Sequence, residues 1–321
     1  MTDRPSADGS TPDLALPLVT RRTVLRGAMA VGVAGVVGGL GLAACGGDDE
    51  RADPGTTNVG GDDGDLVLVS MIDAASSLAA GSEARLALGL GDVRGTLVLD
   101  APESLTFDIV DTADMTTVAS GLEVARHDAG LPRAYFPLIA TLDAPGFYQA
   151  TSEVDGKPID AAFQVVAPEE ITIPRPGQPF PSIVTPTTAD AAGVDPICTQ
   201  NPPCPLHEAE LTAVLGQEPV ALLVSTPAFC QTAICGPVLD IFVAAQDEAP
   251  DVTFIHAEVY ASAEAVEAEG LSAQLAPAVE ALELPFEPAL FLIDANGTLV
   301  RRIDVIYDEV ELRDGLAQLT T

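Results

Sequence analysis

Between residues 65 and about 166, apolar side chains recur at every second position in short runs, the spacing of half-buried strands. Residues 66–69 open the pattern. Leu86, Leu88 and Leu90 alternate with small or polar residues, and Leu105, Phe107 and Ile109 do the same. Residues 134–142, 147–154 and 162–166 bring the expectation to at least six strands. Gly91-Asp92, Ala101-Pro102, Pro145-Gly146 and Asp155-Gly156 punctuate them with residues that suit turns. Prolines at 168, 174, 176, 179, 181 and 186 then stiffen a connection, after which the periodicity changes. Val220–Val224 and residues 252–259 are continuous apolar runs, suited to strands covered on both faces. Residues 237–245 carry helical spacing in Val238, Leu239, Phe242 and Val243. Residues 263–284 are rich in Ala and Glu and predict a helix broken near Pro277. Residues 290–293 and 299–303 flank Asp294-Ala295-Asn296-Gly297, whose Asn-Gly step accepts the positive φ of a tight hairpin turn. A helix over 309–319 closes the order β, α, β, α, β-hairpin, α.

A chain of 321 residues is long enough for two domains with real cores. The first, over 65–167, predicts an all-β antiparallel sandwich and resembles immunoglobulin-like modules; Pro145-Gly146-Phe147-Tyr148 resembles the entry to a late strand of one. It holds no cysteine and, of the histidines, only His127, which has no partner in the sequence. A spacer or partner-docking role is expected of it. The linker spans 168–186, and a second, α/β domain spans 187–321.

Charge narrows the partners. Against 48 acidic residues stand 14 basic ones, a net charge of -34, and the single lysine is Lys157. Such a polyanion does not hold nucleic acid by neutralising phosphates, and anionic headgroups repel it. The N-terminus suggests another route to a membrane. Thr20-Arg21-Arg22-Thr23-Val24-Leu25-Arg26 resembles a twin-arginine export signal, and the uncharged run 27–44 ends in Leu42-Ala43-Ala44-Cys45, similar to a bacterial lipobox. That resemblance implies removal of 1–44, lipidation of Cys45 and display on the extracytoplasmic face of the cell membrane; an uncleaved anchor is the alternative. Residues 45–64 are acidic, glycine-rich and without large apolar side chains, the composition of a disordered tether. An exported chain can keep disulfides.

Four cysteines remain. Cys230 and Cys235, in Thr226-Pro227-Ala228-Phe229-Cys230-Gln231-Thr232-Ala233-Ile234-Cys235, are five positions apart. On a continuous helix that offset separates the Cα atoms by roughly 8 to 9 Å, beyond the reach of about 7 Å for a disulfide. If the two bond, the chain between them is not regular helix, and helix starts near Cys235 or Gly236.

The element order, with a cysteine just after its first strand, resembles the thioredoxin-like fold, in particular its redoxin and TlpA-like membrane-tethered branch. Residues 219–230 are similar to the strand and loop that deliver the nucleophilic cysteine, Glu287-Pro288-Ala289-Leu290 to the cis-proline loop, and 290–303 to the hairpin that follows. Arg175-Pro176-Gly177-Gln178-Pro179-Phe180-Pro181 resembles the redoxin entry segment. The resemblance implies that Cys230, at a helix N-terminus that favours thiolate, attacks a substrate disulfide. It implies that Cys235 resolves the mixed disulfide, and that cis Pro288 presents a carbonyl to an extended substrate. Two departures stand out. Cys235-Gly236-Pro237-Val238 is similar to the family's C-G-P-C with valine replacing the second cysteine, a register in which Cys235 is the lone nucleophile. Val224 stands where many members keep a buried acid, so proton transfer would fall to water or Glu287.

Cys198 and Cys204 precede this core, with His207 three residues on. A structural disulfide clamping a proline-rich loop is the expected reading, with a second exchanging pair as an alternative. A third option gathers a soft metal on Cys198, Cys204, His207 and His256 or the second pair, although the spacing matches no strong zinc signature. Sco-type copper chaperones share the fold and a cysteine pair, but their downstream histidine has no counterpart in the sequence. His256 is expected to pack within its strand and His207 to lie at the surface. The sequence shows no G-x-x-x-x-G-K-[ST], H-E-x-x-H or nucleophile elbow, so no cofactor or resident metal is expected. The expectation is a lipid-anchored thiol-disulfide oxidoreductase acting on thiols or disulfides of exported proteins, recharged by an electron-donor protein. A non-catalytic thioredoxin-like adaptor or a copper-handling chaperone is the alternative.

Overall fold

The computed structural model describes residues 66–72, 78–230 and 233–319, which belong to one compact unit. The twin-arginine stretch, Cys45 and the acidic tether lie outside them. The described residues are mostly β-sheet, in three sheets, and the α-helices among them lie after residue 210.

β1 (Leu66–Ser70), β2 (Glu83–Asp92) and β5 (Phe136–Thr141) pair antiparallel in the order β1-β2-β5. β3 (Ser104–Asp111), β4 (Thr116–Ala125), β6 (Gly146–Val154) and β7 (Lys157–Val165) form a second antiparallel sheet, β4-β3-β6-β7. Leu86, Leu88 and Leu90 of β2 and Leu105, Phe107 and Ile109 of β3 are buried in one cluster, as their alternation predicts. β4 was not expected. It is an edge strand in which only Val124 is buried, so its sequence carries no apolar alternation. At the start of β6 the Tyr148 hydroxyl donates to the Ala144 carbonyl at 2.8 Å, fixing the turn at Pro145-Gly146.

The third sheet, built from β8 (Val220–Val224), β9 (Thr253–Ala257), β10 (Ala289–Ile293) and β11 (Leu299–Asp304), has the order β11-β10-β8-β9. β8 and β9 are parallel, and β10 runs antiparallel to β8 and to β11. Successive side chains go to opposite faces. Ala221, Leu223, Leu290 and Leu292 join the cluster that also holds β2 and β3. Val220, Leu222, Val224, Phe291 and Ile293 join a second cluster. Both faces of β8 and β10 are covered, which is why these two strands read as unbroken apolar runs.

Five α-helices lie among the described residues: α1 (Leu211–Val214), α2 (Cys235–Ala245), α3 (Ala263–Glu269), α4 (Pro277–Leu282) and α5 (Glu309–Ala317). Val238, Leu239 and Phe242 of α2 and Leu312 and Leu316 of α5 cover the first face; Val266 of α3 and Val279 and Leu282 of α4 cover the second. At Gly315, a Cβ would come within 2.5 Å of Leu292 Cδ1, so the missing side chain lets α5 settle onto β10. The expected break at Pro277 is earlier. α3 stops at Gly270, with φ 64°, and Pro277 opens α4, where its lacking N–H costs nothing. The proline-rich stretch is likewise more than a spacer. Ile171, Ile173, Phe180 and Ile183 are buried in the second cluster, and the Gly177 and Phe180 amides donate to the Leu299 and Gly297 carbonyls at 2.8 Å.

A buried polar clasp joins β2 to α5. The Arg85 guanidinium meets both Glu311 oxygens, at 2.5 and 2.7 Å, and donates to the Asp304 and Ile306 carbonyls at 3.2 and 2.6 Å. Glu311 also accepts from the Tyr135 hydroxyl at 2.5 Å and from Arg301 at 3.1 Å. Beside it, Asp308 caps α5 by accepting the Glu311 amide at 2.9 Å, and the same oxygen meets His127 Nδ1 at 2.8 Å. His127, unassigned from sequence, is thus half of an ion pair.

Burial alone would lower the His127 imidazole, but the hydrogen bond and charge of Asp308 outweigh it and hold it above its ordinary value. Burial also opposes ionisation of Asp308, and His127 with the Glu311 and Ala129 amides overcomes it and holds that carboxyl below the ordinary range. The raised histidine contributes stability that is fully present below its unfolded value, about 6.5, and is lost as pH rises through the folded value. The depressed aspartate contributes stability present above about pH 4 and lost on acidification below that. His127→Gln is therefore expected to remove on the order of 1 kcal/mol near pH 6 and progressively less as pH rises. Urea denaturation across pH 5 to 9 checks it, and a loss independent of pH contradicts the pairing.

Candidate functional site

β8 is wholly buried and delivers the chain through buried Ser225 and Thr226 to a loop that carries Cys230. Cys230 and Cys235 form a disulfide with their Cα atoms 5.9 Å apart. The chain between them is not regular helix: Ala233 has a left-handed φ of 55°, and α2 begins at Cys235 itself. The loop turns back so that the first amide of α2, on Cys235, donates to Cys230 Sγ at 3.3 Å. That N–H is one of the donors a helix leaves unsatisfied at its start, and no side chain caps α2. The sulfur of Cys230 takes the capping position. Cys235 is fully buried, whereas Cys230 is half-buried and packs at the margin of the first cluster.

The β8–β10 register pairs Val224 with Ala289, which sets Pro288 beside the end of β8, from which the cysteine loop leaves. The Glu287-Pro288 bond is cis. The Pro288 carbonyl already accepts the Val305 amide at 2.8 Å, which engages one of its two lone pairs. Phe286, two residues earlier, packs against both clusters, and Phe229 meets Tyr260 edge to face at 6.3 Å. Burial pushes the Glu287 carboxyl up, and burial, with the charge of Glu287, pushes Tyr260 up.

Two acids therefore stand near the loop. Glu287 was foreseen; Glu258 was not. Glu258 follows β9, is 1% exposed, and accepts the amide and hydroxyl of Thr199 at 2.6 and 2.7 Å; Thr199 Oγ1 in turn accepts the Ala228 amide at 3.1 Å. Burial raises its carboxyl above the ordinary range. A titratable pair, His256 and Glu258, inside an apolar run was the available signal.

The second cysteine pair corrects the expectation. Cys198 and Cys204 are free thiols, not a disulfide clamp, and both are buried. Their sulfurs are turned into a shared cluster: Cys204 Sγ lies 3.2 Å from His207 Nε2 and 3.4 Å from His256 Nδ1, and the Cys204 amide donates to Cys198 Sγ at 3.3 Å. A hydrogen bond between the two sulfurs, supported by the imidazoles, favours thiolate at Cys198 and the protonated thiol at Cys204. His207, expected at the surface, is 2% exposed, because the loop that carries it folds over β9 and its neighbour Leu206 accepts the His256 amide at 3.0 Å. His256 is buried in its strand as expected.

No family model and no curated protein matches the chain. Among solved structures it is similar to a Chlorobium tepidum protein assigned as a thiol:disulfide interchange protein, DsbE. The identity is 13%, the TM-score is 0.33, and the match spans 46% of this chain and 99% of that one. At that TM-score the likeness adds nothing to the geometry above.

Proposed function

We propose that the chain is an extracytoplasmic thiol-disulfide oxidoreductase of thioredoxin-like type, with Cys230 as attacking sulfur and Cys235 as resolver. The observation that carries this is the Cys230–Cys235 disulfide at the junction of β8 and α2, with the α2 amide aimed at the more exposed sulfur. On reduction, that amide and the helix N-terminus favour negative charge on Cys230 Sγ, the form that attacks disulfides. Attack on a substrate disulfide forms a Cys230–substrate bond and releases one substrate thiolate. Cys235, losing its proton, then displaces the second substrate sulfur and restores the Cys230–Cys235 disulfide. Two electrons pass to the substrate, so a donor protein must reduce the pair again. With Val224 in place of an acid, the proton of Cys235 goes to water or to Glu287, whose carboxyl burial pushes above its ordinary range.

In the same reading the N-terminal signal exports the chain, Cys45 carries the lipid, and 45–64 tether it to the cell membrane. The seven-stranded first half is an immunoglobulin-like sandwich, supported by the Tyr148–Ala144 corner. Cys235→Ser is expected to leave a stable mixed disulfide between Cys230 and an exported protein or a disulfide-bonded peptide, seen as a band that vanishes on reduction. Absence of any Cys230 adduct in that variant overturns the assignment of attacker.

A further inference from the structure

The geometry points to a closed, tetrahedral zinc site formed by Cys198, Cys204, His207 and His256, separate from the Cys230–Cys235 disulfide. One ligand atom from each lies within 4.8 Å of every other, and all four residues are buried. A tetrahedral zinc ion with its usual bond lengths to sulfur and nitrogen sets S···N edges at roughly 3.5 Å. The two edges from Cys204 Sγ, 3.2 and 3.4 Å, are close to that length.

The surroundings also have the form of a metal site. His256 directs Nδ1 into the cluster and its other nitrogen, Nε2, to the Ser225 hydroxyl at 3.0 Å and the Ser225 carbonyl at 3.2 Å. Donation to that carbonyl fixes the tautomer whose Nδ1 lone pair is free for a ligand bond. The Cys204 amide donates to Cys198 Sγ, as amides do to ligand thiolates. His207 faces the cluster through Nε2 while its Nδ1 is buried without a hydrogen-bond partner, so the ring is oriented by packing and the hydrogen bond behind the ligands is made at His256. A Cys198–Cys204 bond would close only a short loop and leave His207 Nε2 and His256 Nδ1 turned toward a disulfide, a poor hydrogen-bond partner. A metal ion uses all four groups and ties the loop at 198–207 to the middle of β9.

Two thiolates and two imidazoles in tetrahedral array suit Zn2+, while Cu+ shares the preference for soft donors. Four protein ligands leave no open position, so the ion holds structure and does no chemistry. Metal and a Cys198–Cys204 disulfide exclude each other, since the bond consumes both thiolates.

The test uses the full chain, prepared with Cys198 and Cys204 reduced and offered Zn2+, Co2+ or Cu+ separately. Expected is one tightly held zinc per chain by mass spectrometry, and a cobalt(II) form with tetrahedral d–d bands and thiolate charge transfer. The same content is expected in Cys230→Ser/Cys235→Ser, which separates this site from the redox proposal. Cys198→Ser/Cys204→Ser is expected to lose the ion. His207→Gln, which removes one ligand and leaves both thiols and the His256–Ser225 contact in place, is expected to weaken binding about 10-fold or more, and it decides the matter if the double variant does not fold. No zinc uptake, uptake of Cu+ alone, an octahedral cobalt spectrum, His207→Gln affinity equal to wild type, or a Cys198–Cys204 disulfide in the protein as isolated overturns the proposal.

Discussion

Cys230→Ser is expected to reduce disulfide-reductase activity to the uncatalysed background, a loss of more than about a hundredfold, because a serine hydroxyl is not ionised at neutral pH and does not attack sulfur. Insulin or a fluorescent disulfide peptide, with dithiol as electron source, reports it. The contrast with Cys235→Ser carries the assignment: that variant keeps the attacking sulfur and stops at the mixed disulfide. The competing register, with Cys235 as lone nucleophile, predicts the reverse, and the complete burial of Cys235 argues against it. Loss of the cross-link is a confounder of known size. Closing a loop five residues apart is worth about 2 kcal/mol in the chain-entropy model. Reduced wild type lacks the same cross-link, so it is the proper reference. If Cys230→Ser retains wild-type turnover while folded, the cysteine pair is not the active centre.

The second large effect is on stability. Arg85→Ala is expected to cost about 3 to 5 kcal/mol, because it strands the Glu311 carboxylate, 3% exposed, with only Arg301 and the Tyr135 hydroxyl to hold it. At roughly 2 to 4 °C per kcal/mol for a unit near this size, the melting temperature falls by about 10 °C. Replacing both partners, as Arg85→Met with Glu311→Leu, is expected to recover most of the loss, since the penalty is the unpaired charge. The sign with pH is fixed. Burial opposes ionisation of Glu311, but Arg85 outweighs it and holds the carboxyl below its ordinary range. The pair's contribution is therefore present above about pH 4 and is lost on acidification through the lowered value. The deficit of Arg85→Ala should shrink in acid. A deficit under 1 kcal/mol at pH 7 would mean that the clasp does not hold β2 to α5.

The parts legible in the sequence were those fixed by local pattern. β8 and β10 were readable because burial on both faces leaves no polar position, and the start of α2 followed from what a disulfide can span. β4 was not readable, because an edge strand exposed along its length has no reason to alternate. The Arg85–Glu311 clasp joins residues 226 positions apart, and nothing near either one specifies the other. His207 stands between Leu206 and Glu208 as a surface residue would. Only the fold of the loop over β9 brings it to Cys204 and His256, and so turns an expected disulfide into a four-ligand cluster.

The reduction potential of the Cys230–Cys235 couple tests the central claim most directly. Equilibration against glutathione, read by alkylation of Cys230, is expected to place it above about -300 mV, where the pair exchanges with other thiols. A value well below that, with the disulfide unaffected by any physiological dithiol, would make the bond a permanent staple and the chain a binding protein.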